Sequence, residues 1–157
     1  MNSSEIKNQL KLTHTIYIAL LSGLVIFFIL VIILIQNKNL KVNTELDKIF
    51  TFLIPVFGLV MMFSSRMIYN QMISKYDSGS SLLQKIGYYR TAKIISWGMI
   101  EGACFFTLVA TILTTNYLYI AVFIFLIGYY LMIRPSGELL IKDMNLNSEE
   151  SELILRK

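Results

Sequence analysis

One cysteine, Cys104, excludes a disulfide-braced secreted scaffold. One histidine, His14, leaves no material for a histidine-based metal cluster or nucleophilic triad. No glycine-rich phosphate loop occurs. Charge is scarce too: Asp, Glu, Lys and Arg make up 15% of 157 residues, against about 25% in soluble domains. So few charges do not cover the surface of a water-soluble fold of this size. The 55% share of hydrophobic residues excludes a disordered chain. An integral membrane protein remains.

Four stretches approach the roughly 20 apolar residues needed to cross a bilayer core of about 30 Å. They run over residues 16–35, 49–68, 94–113 and 117–133. The first has a core too long for a signal peptide, and no small-residue cleavage site follows at Gln36-Asn37-Lys38-Asn39, so it is expected to be retained. Positive charge sets the orientation. Lys7, Lys11, Arg66, Lys75, Lys85, Arg90, Lys93, Arg134, Lys142, Arg156 and Lys157 fall on one side, and only Lys38, Lys41 and Lys48 on the other. The richer side faces the cytoplasm. The expectation is an all-α protein of the inner (plasma) membrane, with four transmembrane helices and both termini cytoplasmic. Residues 1–15 and 134–157 form its cytoplasmic tails.

Tyr17, Tyr88, Tyr89, Tyr129 and Tyr130 are expected near the inner boundary, and Tyr117 and Tyr119 near the outer one, where amphipathic rings settle. The net charge of +4 needs no nucleic acid, because the basic residues flank the spans and meet anionic lipid. The lipid bilayer is the first partner.

The Thr114-Thr115-Asn116 connection forces spans three and four to be antiparallel neighbours. Spans two and three are predicted to continue as helix into the cytoplasm, around a turn at Asp77-Ser78-Gly79-Ser80-Ser81 whose serine caps the next helix. Leu82, Leu83, Ile86 and Tyr89 recur at helical spacing, so the third helix starts before the membrane. Pro135 ends the fourth span or opens a new helix, and Leu139, Leu140 and Met144 are expected along the membrane surface. Asn147 and Glu150 read as a capping box for a last helix ending at Ile154-Leu155. This tail is expected to be a solvated end.

Glu101 is the acid that lies within a span. It follows Lys93 by eight residues, about 12 Å along a helix, which puts it near the midplane. An acid there costs about 2.5–3.5 kcal/mol on insertion scales and is a functional hypothesis by default. Desolvation disfavours its charged form, so it is expected to be protonated, or to exchange a proton, near neutral pH. Gly98 and Gly102 flank it, and Ala103, Thr107 and Thr111 form a second small-residue row; such rows let helices approach closely. Ser64, Ser65 and Arg66 on span two, and Tyr129 or Tyr130 on span four, are candidate partners at its depth. Arg66 alternatively reaches out to the headgroups. Cys104 is expected to be an inert packing residue, and Met61, Met62 and the phenylalanines to pack or face lipid.

The run Arg90-Thr91-Ala92-Lys93-Ile94-Ile95-Ser96-Trp97-Gly98-Met99-Ile100-Glu101-Gly102-Ala103 resembles the second helix of the rotor-ring c subunit of rotary ATP synthases. In that family a helical hairpin with a polar cytoplasmic tip carries a mid-membrane carboxyl, and the resemblance implies that Glu101 would bind the transported proton. The likeness spans residues 88–113. Span two offers only Gly58 where the family has a glycine repeat, and the tip reads Asp77-Ser78-Gly79-Ser80 where the family has Arg-Gln-Pro.

Three readings follow. The first is a non-enzymatic subunit or scaffold of a membrane assembly, without cofactor or metal. It packs through the Gly98/Gly102 face as a homo-oligomer or with another membrane subunit. The second is a proton- or cation-handling protein that uses Glu101. The third is lipid or small-ligand binding between helices.

Overall fold

A computed structural model of the chain describes residues 3–36, 43–76 and 79–155. Asn37, Lys38, Asn39, Lys41, Asp77, Ser78, Arg156 and Lys157, invoked above for cleavage, charge and the hairpin tip, lie outside these. Among the described residues there are six helices and no strand: α1 (Ser3–Gln36), α2 (Thr44–Ser74), α3 (Leu82–Thr114), α4 (Leu118–Met132), α5 (Gly137–Asp143) and α6 (Ser148–Leu155). The first three are long and apolar enough to cross a membrane; α4 with α5 makes a fourth candidate, bent by 74° at the Pro135 connection.

Sequence explains the ends. Asn43 caps α2 by accepting from the Leu46 amide at 3.1 Å. Ser81 and Gln84 form a capping box at the start of α3, and Asn147 and Glu150 form another at α6, with bonds of 2.8 and 3.2 Å. Each box satisfies donors that a helix start leaves unpaired. Thr115 adopts φ 54° and turns the chain sharply between α3 and α4. Ser136 caps α5 by accepting from Leu139.

Helix α3 is the axis of the bundle. Half of its most apolar stretch is buried, against 17% for α1 and 11% for α2. Trp97, Ile100, Ala103, Cys104 and Leu108 are enclosed by Tyr17, Leu24 and Val31 of α1 and by Phe123, Leu126 and Tyr130 of α4. On the α2 side, Phe106 meets Phe50 and Phe57 edge-on. Phe27 packs on Phe105 and Phe28 on Phe123. Outward, α1 and α2 present Ile26, Ile29, Ile33, Phe52 and Phe63. An apolar surface of this extent fits lipid, not water.

At 33 residues, α3 is about 50 Å long, well beyond a hydrocarbon core of about 30 Å. The surplus lies at the end that holds both chain termini, where a second core forms. Ile6 of α1, Leu82, Ile86 and Tyr89 of α3, and Leu140 and Met144 of the tail are all buried together. From Ser3 on, the described residues before 16 are already helix, and Ile6 is fully buried. One expectation is corrected. The C-terminal segment is docked, not solvated, and Leu140 and Met144 turn inward, not toward a membrane surface. The cause is length: helices of seven and eight residues do not hold alone in water and require tertiary contact. Polar bonds lock them down, from Lys85 to Glu150 at 2.9 Å, from Tyr69 to Asp143 and from Tyr76 to the Met144 carbonyl.

The tyrosines expected near the membrane boundaries divide by burial. Tyr17, Tyr89, Tyr119 and Tyr130 are buried in the bundle, while Tyr88 and Tyr117 are exposed and Tyr129 partly so. The buried rings serve packing: Tyr17 stacks on Tyr130 at 5.1 Å and tilts against Trp97 at the same distance.

Candidate functional site

Glu101 sits a little past the middle of α3 and is partly buried. Trp97, one turn back, is fully buried, and its indole N–H donates to the Ile133 carbonyl at 3.2 Å. Cys104, one turn on, is buried and free. Cys104 and Tyr130 belong with Trp97 to one buried cluster, and Glu101 stands one turn from Trp97 and one residue short of a turn from Cys104 on the same helix. The Tyr130 hydroxyl is buried with no hydrogen-bond partner among the described residues. None of them hydrogen-bonds to the Glu101 carboxyl either. The site is thus a partly enclosed acid beside an aromatic cluster that contains an orphan hydroxyl.

The other candidate partners fall elsewhere. Ser65 is buried and its hydroxyl donates back to the Met62 carbonyl at 3.1 Å. Ser64 is partly buried, Arg66 is exposed, and Tyr129 lines a different cleft. The ion pairs among the described residues are Lys48–Glu45 and Lys85–Glu150, so Arg66 is not bonded to Glu101.

The two small-residue rows part company. Ala103, Thr107 and Thr111 are buried inside the bundle. The Thr107 and Thr111 hydroxyls donate to carbonyls one turn back, at 2.8 and 2.9 Å, and so bridge no helices. Gly98 and Gly102 lie on the opposite, exposed side, where an added Cβ would meet nothing within 4 Å. Ile95, Val109 and Leu113 share that open side. Glu101 stands on its margin.

Two polar sites were not singled out from sequence. At the terminal end, a cleft of about 340 Å³ opens between α2, α3, α4 and α5. Arg66, Lys93 and Lys142 line it together with Asp143, whose carboxylate accepts from Tyr69. The Lys93 side chain is buried, with its ammonium 4.4 Å from the Tyr69 ring centre and 5.4 Å from that of Tyr89. In the sequence Lys93 and Lys142 register only as orientation charges, and Arg66 also as a candidate partner of Glu101, because nothing in a linear pattern shows three helices and a tail converging.

At the opposite end, Asp47 of α2 accepts from the Tyr119 hydroxyl at 2.7 Å and the Asn116 amide at 2.9 Å. Asp47 lies in the first turn of α2, two residues before the apolar stretch that begins at Ile49. Those hydrogen bonds, Tyr119 first, hold its carboxyl below the usual carboxylate range. Among the described residues no three His, Cys, Asp or Glu side chains gather as metal ligands.

Compared with known proteins, the chain matches no family model, no curated protein sequence and no solved structure.

Proposed function

We propose that this chain is a multi-pass inner-membrane protein that acts as a non-enzymatic subunit of a membrane assembly, pairing with a second copy of itself through α3. Both termini lie in the cytoplasm, as the basic flanks of the helices favour. One observation carries the reading. Helix α3 is covered by α1, α2 and α4, and its remaining side is bare backbone at Gly98 and Gly102 with Glu101 unpartnered beside it. Small residues let helices approach closely in lipid, where no hydrophobic force drives them together. A polar group left without a partner in hydrocarbon is costly. A two-fold pairing of α3 answers both needs. A neutral carboxyl is donor and acceptor at once, so each Glu101 can bond the other across an isologous contact.

The test is native mass in mild detergent together with cross-linking in the intact membrane. A dimer is expected for the natural chain, and a monomer after Gly98→Leu with Gly102→Leu. A monomeric natural chain in both settings, or a dimer that survives both substitutions, overturns the reading.

The orphan Tyr130 hydroxyl beside Glu101 favours a second reading, proton or cation handling by the Glu101 carboxyl. The likeness of residues 88–113 to a rotor-ring helix points the same way. Glu101→Gln separates the two readings, because glutamine keeps hydrogen bonding and cannot exchange a proton. If the dimer persists and proton movement into vesicles stops, the carboxyl carries protons. If neither changes, the proton reading fails.

A further inference from the structure

Three cations line the cleft at the terminal end, and the one carboxylate in its wall, Asp143, is already engaged by Tyr69. Formal charge in the cleft is therefore positive in excess by two. Lys93 is 6% exposed, and its ammonium makes no hydrogen bond and no ion pair among the described residues. The two tyrosine rings cover one side of it, and its N–H donors are left for whatever enters the cleft. Arg66 and Lys142, both exposed, flank it from α2 and α5 and are likewise without an ion pair. Buried, unpaired charge of one sign is costly. An anion with several acceptor oxygens relieves it.

The surroundings decide which anion. The cleft shares Tyr129 and Met132 with a second hollow of about 460 Å³, whose other walls are Met62, Ile124, Phe125 and Gly128. Through Phe125 this hollow continues into a third, beside Gly58 and Leu59. The run follows the seam between α2 and α4. Both helices pack on α3, and Gly128 has no side chain to fill the space between them. A basic cleft at the depth where the apolar stretches end thus opens into an apolar groove that descends along the bundle. Basic pockets of this kind between transmembrane helices suit anionic headgroups.

We propose that cleft and groove together hold one anionic phospholipid, its phosphate among Arg66, Lys93 and Lys142 and an acyl chain along the α2–α4 seam. A free phosphate has the same acceptor oxygens but has no use for the groove, and the continuity of the two favours the lipid. This inference stands apart from the pairing through α3, which uses the other side of that helix.

The test is native mass spectrometry of the full chain in detergent, titrated with phosphatidylglycerol or with phosphatidylcholine of the same acyl chains. Phosphatidylglycerol is expected to bind at least about tenfold more tightly, and Arg66→Gln with Lys142→Gln to erase the difference, since each basic residue near an anionic surface adds about fivefold in affinity. Both side chains are exposed and unpaired, so the variant is expected to melt like the natural chain; if the double variant does not fold, each single substitution should remove part of the preference. Gly128→Leu, which fills the groove, should weaken both lipids. Equal binding of the two lipids, or a preference that survives the charge substitutions, overturns the proposal. Displacement of phosphatidylglycerol by millimolar inorganic phosphate, with Gly128→Leu silent, also overturns it and makes the cleft a free-anion site.

Discussion

The Lys85 ammonium reaches both carboxylate oxygens of Glu150, at 2.9 and 3.1 Å, across 65 positions of chain. Only 8% of the Lys85 side chain and 16% of the Glu150 side chain remain exposed. Glu150 has a second duty, since one of its oxygens also accepts from the Asn147 amide and so caps α6. The pair pins the last helix of the chain to the projecting part of α3.

Glu150→Ala removes the pin and one of the two capping bonds, the Asn147 side chain still accepting from the residue-150 amide, and leaves Lys85 buried without a counter-charge. Breaking a buried pair in this way costs about 3 kcal/mol. The bundle itself is expected to hold while α6 swings free. Limited proteolysis checks this: cleavage within residues 145–147 should rise on the order of a hundredfold. Lys85→Met with Glu150→Leu, which replaces charge by apolar contact, should restore most of the protection. Unchanged cleavage in Glu150→Ala would show that Leu140 and Met144 anchor the tail unaided.

At the far end, Asp47 ties α2 to the α3–α4 turn through Tyr119 and Asn116. Its carboxyl sits below the ordinary 3.8 in the folded chain. A depressed folded value means that the group stabilises above its unfolded pKa and loses that contribution as pH falls through the folded one. The natural chain should therefore melt above Asp47→Asn at pH 7, and the gap should close as the pH drops below about 4. Melting curves in detergent at pH 7, 4 and 2.5 decide it. A gap that does not depend on pH would mean that charge on Asp47 contributes nothing.

At Gly58, α2 packs on Leu126 of α4, with Leu126 Cδ1 and Cδ2 each 3.4 Å from the position a Cβ would take. That is ordinary contact, so alanine fits, and its better helix propensity offsets any small crowding. Gly58→Ala is expected to be neutral or slightly stabilising. Gly58→Leu forces the two helices apart and costs about 1–3 kcal/mol by overpacking. Thermal melts of the two variants should move in opposite directions or leave alanine unmoved. A harmless leucine would show that the α2–α4 seam is wide enough to absorb it.

Much of this architecture was readable from residue pattern alone. Uninterrupted Ile, Leu, Val and Phe in α1, the serine before Leu82 and the Asn147/Glu150 spacing each have a local cause, and local causes survive in a linear string. What escaped depends on long-range company. Tyr17 and Tyr130 read as interfacial rings, and no local pattern shows that they stack on each other at 5.1 Å with Tyr17 tilted against Trp97. Leu140 and Met144 carry the spacing of a surface helix, yet the projecting ends of α1 and α3 offer them a dry face. Lys93 reads as a topology signal and is buried against two aromatic rings. Glycine spacing was ambiguous for the same reason: Gly98 and Gly102 resemble internal packing positions, and only the placement of the other helices leaves them outside.

Tyr130 supplies the sharpest stability test near Glu101. Its ring is fully buried and stacked on Tyr17, while its hydroxyl has no partner among the described residues. The Tyr17 hydroxyl donates to the Tyr130 carbonyl, a backbone group that phenylalanine would keep. An unsatisfied buried polar group carries a penalty of about 1–3 kcal/mol, so its removal is favourable when packing is preserved. Tyr130→Phe should then hold or raise the melting temperature, by up to about 1 kcal/mol of added stability. Tyr119→Phe removes a hydroxyl with bonds to Asp47 and should lower it. A drop for Tyr130→Phe would mean that the hydroxyl is served in the membrane by a water or by the Glu101 carboxyl. Adding Glu101→Leu, which removes every hydrogen-bonding atom at that position, then distinguishes these. If the carboxyl is the partner, the two substitutions together cost less than the sum of each alone; if a water serves the hydroxyl, the costs add.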